Sequence, residues 1–373
     1  MTVTQKSAKQ ASQGRAKVRV AVVGARGYAG LELTRLLLKH PMANLVSCFA
    51  TSSFQLSDSL GERRARDVRC LSIEALDAEV SAQGIEVVFL ATPAETSVQL
   101  APRLLSLGAH VIDLSGAFRL PGRNPTGCIE MYEKWYGFAH AAPELVARAE
   151  YGLVPWYSEN ERPEGPRLVA NPGCFATAVL MAVLPLFKNG LIDASSLVID
   201  AKSGTTGAGR KAEERLLHAE VDGLCLPYRI GRHQHEPEIE QAAQTFGGVA
   251  FQPFFTTHLL NVRRGIVASI YAKCATETDG RAVEQAFEGA YGSSALVEVA
   301  CLDEAGADKL LNLRRVVGTP RTQIAWRIVD GRLYLFSLID NLLKGAASQA
   351  VENFNRVISC AAETGLEEME GLL

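Results

Sequence analysis

The chain has no paired cysteine motif. Its eight cysteines, at positions 48, 70, 128, 174, 225, 274, 301 and 360, stand singly, with no C-x-x-C and no spacing that suits a metal knuckle. Scattered thiols fit a reducing compartment, so a cytoplasmic location is expected. Charge of one sign is equally scarce: 38 Lys and Arg against 41 Asp and Glu leave a net of −3, which removes any global case for nucleic acid or an anionic membrane as partner. The first sixteen residues, MTVTQKSAKQASQGRA, are polar with no apolar core. They match neither a secretory signal nor a membrane span and read as a flexible extension. No internal repeat or low-complexity tract is present. What remains is a 373-residue chain with 47% apolar and 21% charged residues, ordinary for a globular protein and long enough for two domains. Its expected partners are small molecules and other subunits.

The run VRVAVVG at 18–24 is almost wholly apolar and β-branched, as a central parallel strand covered on both faces would be. A periodic helix follows at 28–39, then strands at 44–50 and 85–92, a helix at 95–107 and a strand at 110–115. That alternation predicts an α/β domain with a doubly wound, Rossmann-type parallel sheet. From Pro172 onward the strands lengthen and helices thin out, predicting an α+β domain with a mixed or antiparallel sheet. Asp330-Gly331 between two long apolar runs predicts a tight hairpin. An amphipathic helix over 342–359 should pack back on the body. The long apolar strands suggest a subunit interface, so a homo-oligomer, dimer or tetramer, is expected.

Three segments carry chemistry. In VANPGCFATA at 169–178, Cys174 falls where a strand gives way to a helix, so the helix-start N–H groups are expected to favour its thiolate. A lone cysteine is more often a small core hydrophobe, but Asn171, Pro172 and Gly173 make a turn suited to presenting one side chain. After the first strand, Gly24, Gly27 and Gly30 place three glycines at a strand-to-helix turn, where backbone can approach a pyrophosphate. The second strand ends not in an acid but in Thr51, Ser52 and Ser53, with Arg63, Arg64 and Arg66 beyond, which suits the 2′-phosphate of NADP better than the free ribose of NAD. Finally, His233 and His235 precede a helix that Pro237 helps to start. Histidine is the natural acid/base near neutral pH, and Glu238 three residues on is expected to orient the His235 ring. Zinc bound by H-x-H and a glutamate, or a purely structural histidine pair, are the rival readings, with no metal the preferred one. Ser115 and Arg119 follow a strand end, and Lys202, Ser203 and Gly204 open a glycine-rich basic loop; both suit an anionic substrate, although the loop also reads as a domain connector.

Taken together, GARGYAGLEL, DLSGAFRL, YEKWYG, VANPGCFATA, DAKSGTTGAGR, GRHQHEPEIEQ, FTTHLLNVRRGI and DNLLKGAASQA resemble the N-acetyl-gamma-glutamyl-phosphate reductase family, NADP-dependent enzymes of arginine biosynthesis related to aspartate-semialdehyde dehydrogenase. The resemblance covers the chain from about Val18 to the last helix. It implies reduction of an acyl phosphate to a semialdehyde through a thioester on Cys174. His235 would be the acid/base assisted by Glu238 and His233; Tyr28, Pro93 and Asn341 would touch the cofactor; Asn171 would join Ser115, Arg119 and Lys202 on the substrate. It also implies domains at 17–171 for NADP and 172–340 for catalysis and oligomerisation, with 341–373 returning to the first. The chain departs from the pattern in FTTHLLNVRRGI, which lacks an expected proline, and in a long segment at 155–167. An aspartyl or aminoadipyl phosphate reductase, and a nonenzymatic redox-sensing nucleotide binder, are the competing readings.

Overall fold

The computed structural model describes residues 16–52, 54–157, 165–302 and 306–367, so the N-terminal extension, Ser53 and the middle of the long 155–167 segment lie outside the described residues. Strands β1 (Val18–Val23), β2 (Ala43–Ala50), β3 (Arg69–Ser72), β4 (Val87–Leu90), β5 (His110–Asp113), β6 (Glu150–Tyr151) and β7 (Leu168–Ala170) form one sheet in the order 3-2-1-4-5-7-6. Every pairing in it is parallel. The run VRVAVV lies at its centre because both faces are covered. Val20 and Val22 pack with Leu33 and Leu37 of the helix Tyr28–Lys39, while Ala21 and Val23 pack on the opposite side with Val98 and Leu104 of the helix Ala94–Ser106. Strand order reverses between β1 and β4, and a ligand crevice opens beyond their carboxyl ends.

The second sheet contains β8 (Val198–Gly204), β9 (Cys225–Tyr228), β10 (Phe254–Leu260), β11 (Ile266–Lys273), β12 (Val297–Cys301), β13 (Thr322–Val329) and β14 (Arg332–Ile339), in the order 12-13-14-11-8-10-9. It is mixed: β8/β10 and β12/β13 are parallel and the other pairs antiparallel. One face lies on the helix Cys174–Lys188, whose residues from Phe175 to Phe187 are all buried. The β13–β14 turn has Asp330 at φ 49° and Gly331 at φ 69°, the paired left-handed residues of a two-residue hairpin.

The C-terminal segment differs from the single helix expected over 342–359. Leu343–Ala347 forms a π-helical turn before the α-helix Ser348–Val357. The Asp340 carboxylate accepts the N–H groups of Leu342 and Leu343, fixing the start of that wide turn. Ala350, Val351 and Phe354 then join Val20, Leu33 and Phe89 in the core of the first sheet, returning the chain to the first domain.

Candidate active site

One wall of the crevice is backbone. Gly24 ends β1 at φ +85°, and a Cβ there would stand 2.2 Å from the Ala91 carbonyl oxygen at the end of β4. A Cβ on Gly30 would stand 2.3 Å from the Gly24 carbonyl. These two glycines let strand, turn and helix close on one another; Gly27 meets nothing nearer than 3.4 Å and instead lines the cavity as the helix N-cap. That helix has no side-chain cap and no acid in its first turn, so its N–H groups are open to an anion. The arrangement fits a dinucleotide pyrophosphate. Thr51 and Ser52 are exposed beside it, and Arg26, from inside the glycine turn, donates to Ser52 Oγ at 3.3 Å. Of the three arginines expected there, Arg64 is bound to the Leu38 carbonyl at 3.0 Å, while Arg63 and Arg66 remain on the surface. Ala91, rather than Pro93, lines the cavity at the end of β4; Pro93 caps the following helix.

The other wall is made of side chains. A cavity of about 510 Å³ runs from Gly27 and Tyr28 to Cys174 and His235. Cys174 begins its helix with Gly173 as N-cap, and Gly345 of the π-turn lies so near that a Cβ on it would stand 2.7 Å from Cys174 Cβ. A Cβ on Gly173 would stand 2.3 Å from His235 Nε2, so the imidazole lies against the backbone just before the thiol. His235 Nδ1 is buried without a partner. Its backbone N–H donates to His233 Nδ1 at 3.1 Å, and the His233 ring is wedged among Phe175, Phe255 and Tyr228 at 5.3, 5.6 and 5.8 Å between centroids.

Glu238 does not orient His235 as expected. Its carboxylate accepts the Gly173 N–H at 2.7 Å and the Tyr151 hydroxyl at 2.8 Å, with Arg119 Nη1 at 3.4 Å. One turn into its helix, Glu238 faces the strand-to-helix corner below Cys174, and it fixes that corner. The expectation for the thiol also reverses in sign. Burial pushes Cys174 up to about 11, outweighing Arg119 and the helix-start N–H groups, which pull the other way. Burial likewise pushes His233 down to about 3 and His235 well below the usual histidine range, aided at His235 by His233, Arg119 and Arg229. Both imidazoles are therefore neutral at pH 7.

Two substrate assignments fall away, and a third side chain is tied down. Asn171 is buried, its amide donating to the Ala346 carbonyl at 3.2 Å and accepting from Asn353 at 3.0 Å; it ties β7 to the C-terminal segment. Lys202 lies on the opposite face of β8 from Ser203, paired with Asp200, and does not line the cavity. Arg119 lines it, but its guanidinium is fixed by the carbonyls of Asn171 at 2.8 Å and Leu114 at 2.9 Å as well as by Glu238. Ser115, Ser203 and Gly204 do line the cavity, the Ser115 hydroxyl donating to Asp113 at 2.7 Å. Asn341 lines it too, bracing the 204–209 loop through Thr206 Oγ1 at 3.0 Å and accepting the Gly265 N–H at 2.8 Å. Tyr151 and Arg26 were missed in the sequence. Nothing local marks Tyr151; Arg26 was signalled by its place inside the glycine turn.

Among the described residues no group of three His, Cys, Asp or Glu side chains is placed to hold a metal ion, and no helix is long and apolar enough to cross a membrane. Residues 19–160 match the NAD binding domain of the semialdehyde dehydrogenases, and 174–341 match their dimerisation domain. An N-acetyl-gamma-glutamyl-phosphate reductase from Bacillus cereus (strain ATCC 10987 / NRS 248) is 37% identical over 94% of this chain and 99% of its own length. One from Bacillus thuringiensis subsp. konkukian (strain 97-27) is 38% identical over the same shares. In fold, the chain resembles a probable aspartate-semialdehyde dehydrogenase from Pseudomonas aeruginosa, with TM-score 0.65 and 22% identity over 92% of this chain and 98% of that one. With a nucleotide cradle, a cysteine at a helix start and a neutral histidine in one cavity, the chain belongs to the N-acetyl-gamma-glutamyl-phosphate reductase family of the semialdehyde dehydrogenases.

Proposed function

We propose that the protein converts N-acetyl-gamma-glutamyl phosphate to N-acetylglutamate 5-semialdehyde and phosphate with NADPH, in arginine biosynthesis in the cytoplasm. The observation that carries this reading is Cys174, His235 and the glycine cradle opening on one cavity. Cys174 rests as a thiol, so its nucleophile forms when the neutral His235 imidazole takes the proton. The thiolate bonds to the acyl carbon, the carbon–oxygen bond to phosphate breaks, and phosphate leaves a thioester on Cys174. NADPH, seated on the Gly27 turn and the helix start at Tyr28, would supply the hydride that reduces this thioester. The oxyanion that results faces the N–H groups at the start of the Cys174 helix, and protonated His235 gives it a proton. His235 then takes the hydroxyl proton back, the carbon–sulfur bond breaks, and the aldehyde departs. Arg119 acts through its fixed positive charge beside Cys174, and Ser115, Ser203 and Gly204 line the phosphate side.

Arg26, Thr51 and Ser52 support a preference for NADP, having hydroxyls and a guanidinium where NAD enzymes commonly carry an acid. A homo-oligomer is supported by the outer face of the second sheet, where Val198, Tyr271 and Tyr334 form an apolar row across β8, β11 and β14. The test is a spectrophotometric assay of NADP reduction with N-acetylglutamate 5-semialdehyde and phosphate, run beside NAD and beside aspartate semialdehyde. We expect activity that depends on phosphate and favours NADP. Folded protein inactive with that semialdehyde would sink the substrate claim.

A further inference from the structure

Arg264, in the connection between β10 and β11, is buried and takes no part in the steps at Cys174 and His235. Its guanidinium spans the two domains. Nη1 donates to Glu32 Oε1 at 2.8 Å, in the second turn of the helix Tyr28–Lys39 whose start cradles the nucleotide. Nε and Nη2 donate to Asp340 Oδ1 at 3.2 and 3.0 Å, just past the end of β14. Arg35 pairs with the second Glu32 oxygen at 2.7 Å, so two guanidinium groups face two carboxylates and the charges balance.

From Asp340 the contacts reach the thiol residue. The Asp340 carboxylate accepts the N–H groups of Leu342 and Leu343, its backbone carbonyl accepts the Gly345 N–H at 2.9 Å, and Gly345 lies against Cys174. The Arg264 backbone is pinned as well. A Cβ on Gly204, in the cavity wall, would stand 2.7 Å from the Arg264 nitrogen, and the next N–H, of Gly265, donates to Asn341 Oδ1 at 2.8 Å. One side chain thus joins the helix that seats the cofactor to the turn that backs the nucleophile.

A buried ion pair returns little net stability, because desolvation offsets the attraction. What the planar fork of an arginine adds is direction. Leu33 of the nucleotide helix already shares an apolar core with Leu343 and Ala347 of the π-turn, but apolar burial brings elements together without choosing a direction. Hydride transfer needs that choice, since the first domain carries the cofactor and Cys174 carries the reacting carbon. We infer that Arg264 is a positioning residue: by bridging Glu32 and Asp340 it holds the nucleotide helix in register with Cys174, and it governs the rate of hydride transfer rather than the affinity for cofactor. This rests on the reaction proposed above.

The test is a stopped-flow measurement at saturating NADP with N-acetylglutamate 5-semialdehyde and no phosphate. The first turnover then ends with the thioester on Cys174 and one hydride on NADP, so the burst of NADPH absorbance reads hydride transfer. A substrate deuterated at the aldehyde carbon identifies the step. In Glu32→Gln and Arg264→Lys we expect the burst rate constant to fall by about tenfold or more, within the hundredfold that about 1 Å of misplacement costs, with the isotope effect kept or raised and the Kd for NADP within about twofold. Gln keeps the shape of Glu32 and Lys the charge of Arg264, but Lys lacks the fork that reaches both carboxylates. The double variant should be no slower than Arg264→Lys, because both substitutions cut one bridge. In the cofactor-free protein, Arg264→Lys should speed hydrogen exchange at Leu342, Leu343 and Gly345, whose N–H groups Asp340 holds. A purely structural role would lower the burst amplitude, through fewer folded molecules, and leave the rate constant alone. That outcome, unchanged exchange at those three amides, or slowing that multiplies in the double variant overturns the assignment. If the unmodified enzyme gives no burst with this aldehyde, the reaction reading falls and the assignment with it.

Discussion

The two walls of the crevice are built by different physics. The nucleotide wall is shaped by atoms that are missing: Gly24 and Gly30 omit a Cβ where one would stand 2.2 and 2.3 Å from backbone oxygen, and the helix beyond omits a side-chain cap. The catalytic wall is shaped by buried groups that find each other across long stretches of chain: Glu238 with Gly173 and Tyr151, Arg119 with Asn171, His235 against Gly173. A wall of the first kind tolerates varied side chains and is broken by adding one. A wall of the second kind is broken by removing one.

The largest effect should come from the catalytic wall. Cys174→Ser keeps volume and hydrogen bonding but replaces the nucleophile, so turnover should fall by about 10⁴-fold or more while NADPH still binds with its normal Kd. Steady-state kinetics beside a fluorescence titration of NADPH measure both. His235→Asn should cost about 10²–10⁴, the usual range for acid–base help, and His233→Asn less than about tenfold, because His233 is packed among rings and spends Nδ1 on the His235 N–H. A larger loss at His233 would exchange their roles.

The nucleotide wall should respond differently. Gly30→Ala drives a Cβ against the Gly24 carbonyl, so the turn must move. We expect the Kd for NADPH to rise by about tenfold or more, equal to about 1.4 kcal/mol, with kcat at saturating cofactor nearly kept. An unchanged Kd would mean that Gly30 serves packing alone.

The same contrast explains what was legible in the sequence. Parallel strands, the glycine turn and the Asp330-Gly331 hairpin are local patterns, each decided by a few neighbouring residues, and they were read with nearly correct limits. The expectation that Cys174 and His235 share a site rests on the same kind of signal, since a helix start and an H-x-H segment are local too, and the two line one cavity. The role of Glu238 was misread because its partners, Gly173 and Tyr151, are 65 and 87 residues away, and sequence proximity to His235 suggested a different one. Lys202 failed on parity: in a strand, its neighbour Ser203 faces the cavity, so Lys202 must face away. The direction of the Cys174 shift depended on burial, and one of the groups packed against the thiol residue, Gly345, lies far along the chain.

The comparison also sets where stability depends on pH. On the nucleotide wall the glycine turn carries no buried titrating side chain, whereas the catalytic wall holds His233 at about 3 and Cys174 at about 11. For His233, folded below its ordinary 6.5, the unfolded chain binds the proton first; stability is therefore full above pH 6.5 and is lost as pH falls from 6.5 toward 3. For Cys174, folded above its ordinary 9.0, the unfolded chain releases the proton first, so stability is lost as pH rises from 9 toward 11. His40, His110 and His140, also lowered by burial, add to the acid limb elsewhere. The catalytic share is separated by substitution: His233→Asn keeps an acceptor for the His235 N–H but removes the titration. Urea unfolding from pH 8 to pH 4 should show a shallower fall for this variant than for the unmodified protein, and parallel curves would place the acid sensitivity at groups other than His233, His235 among them.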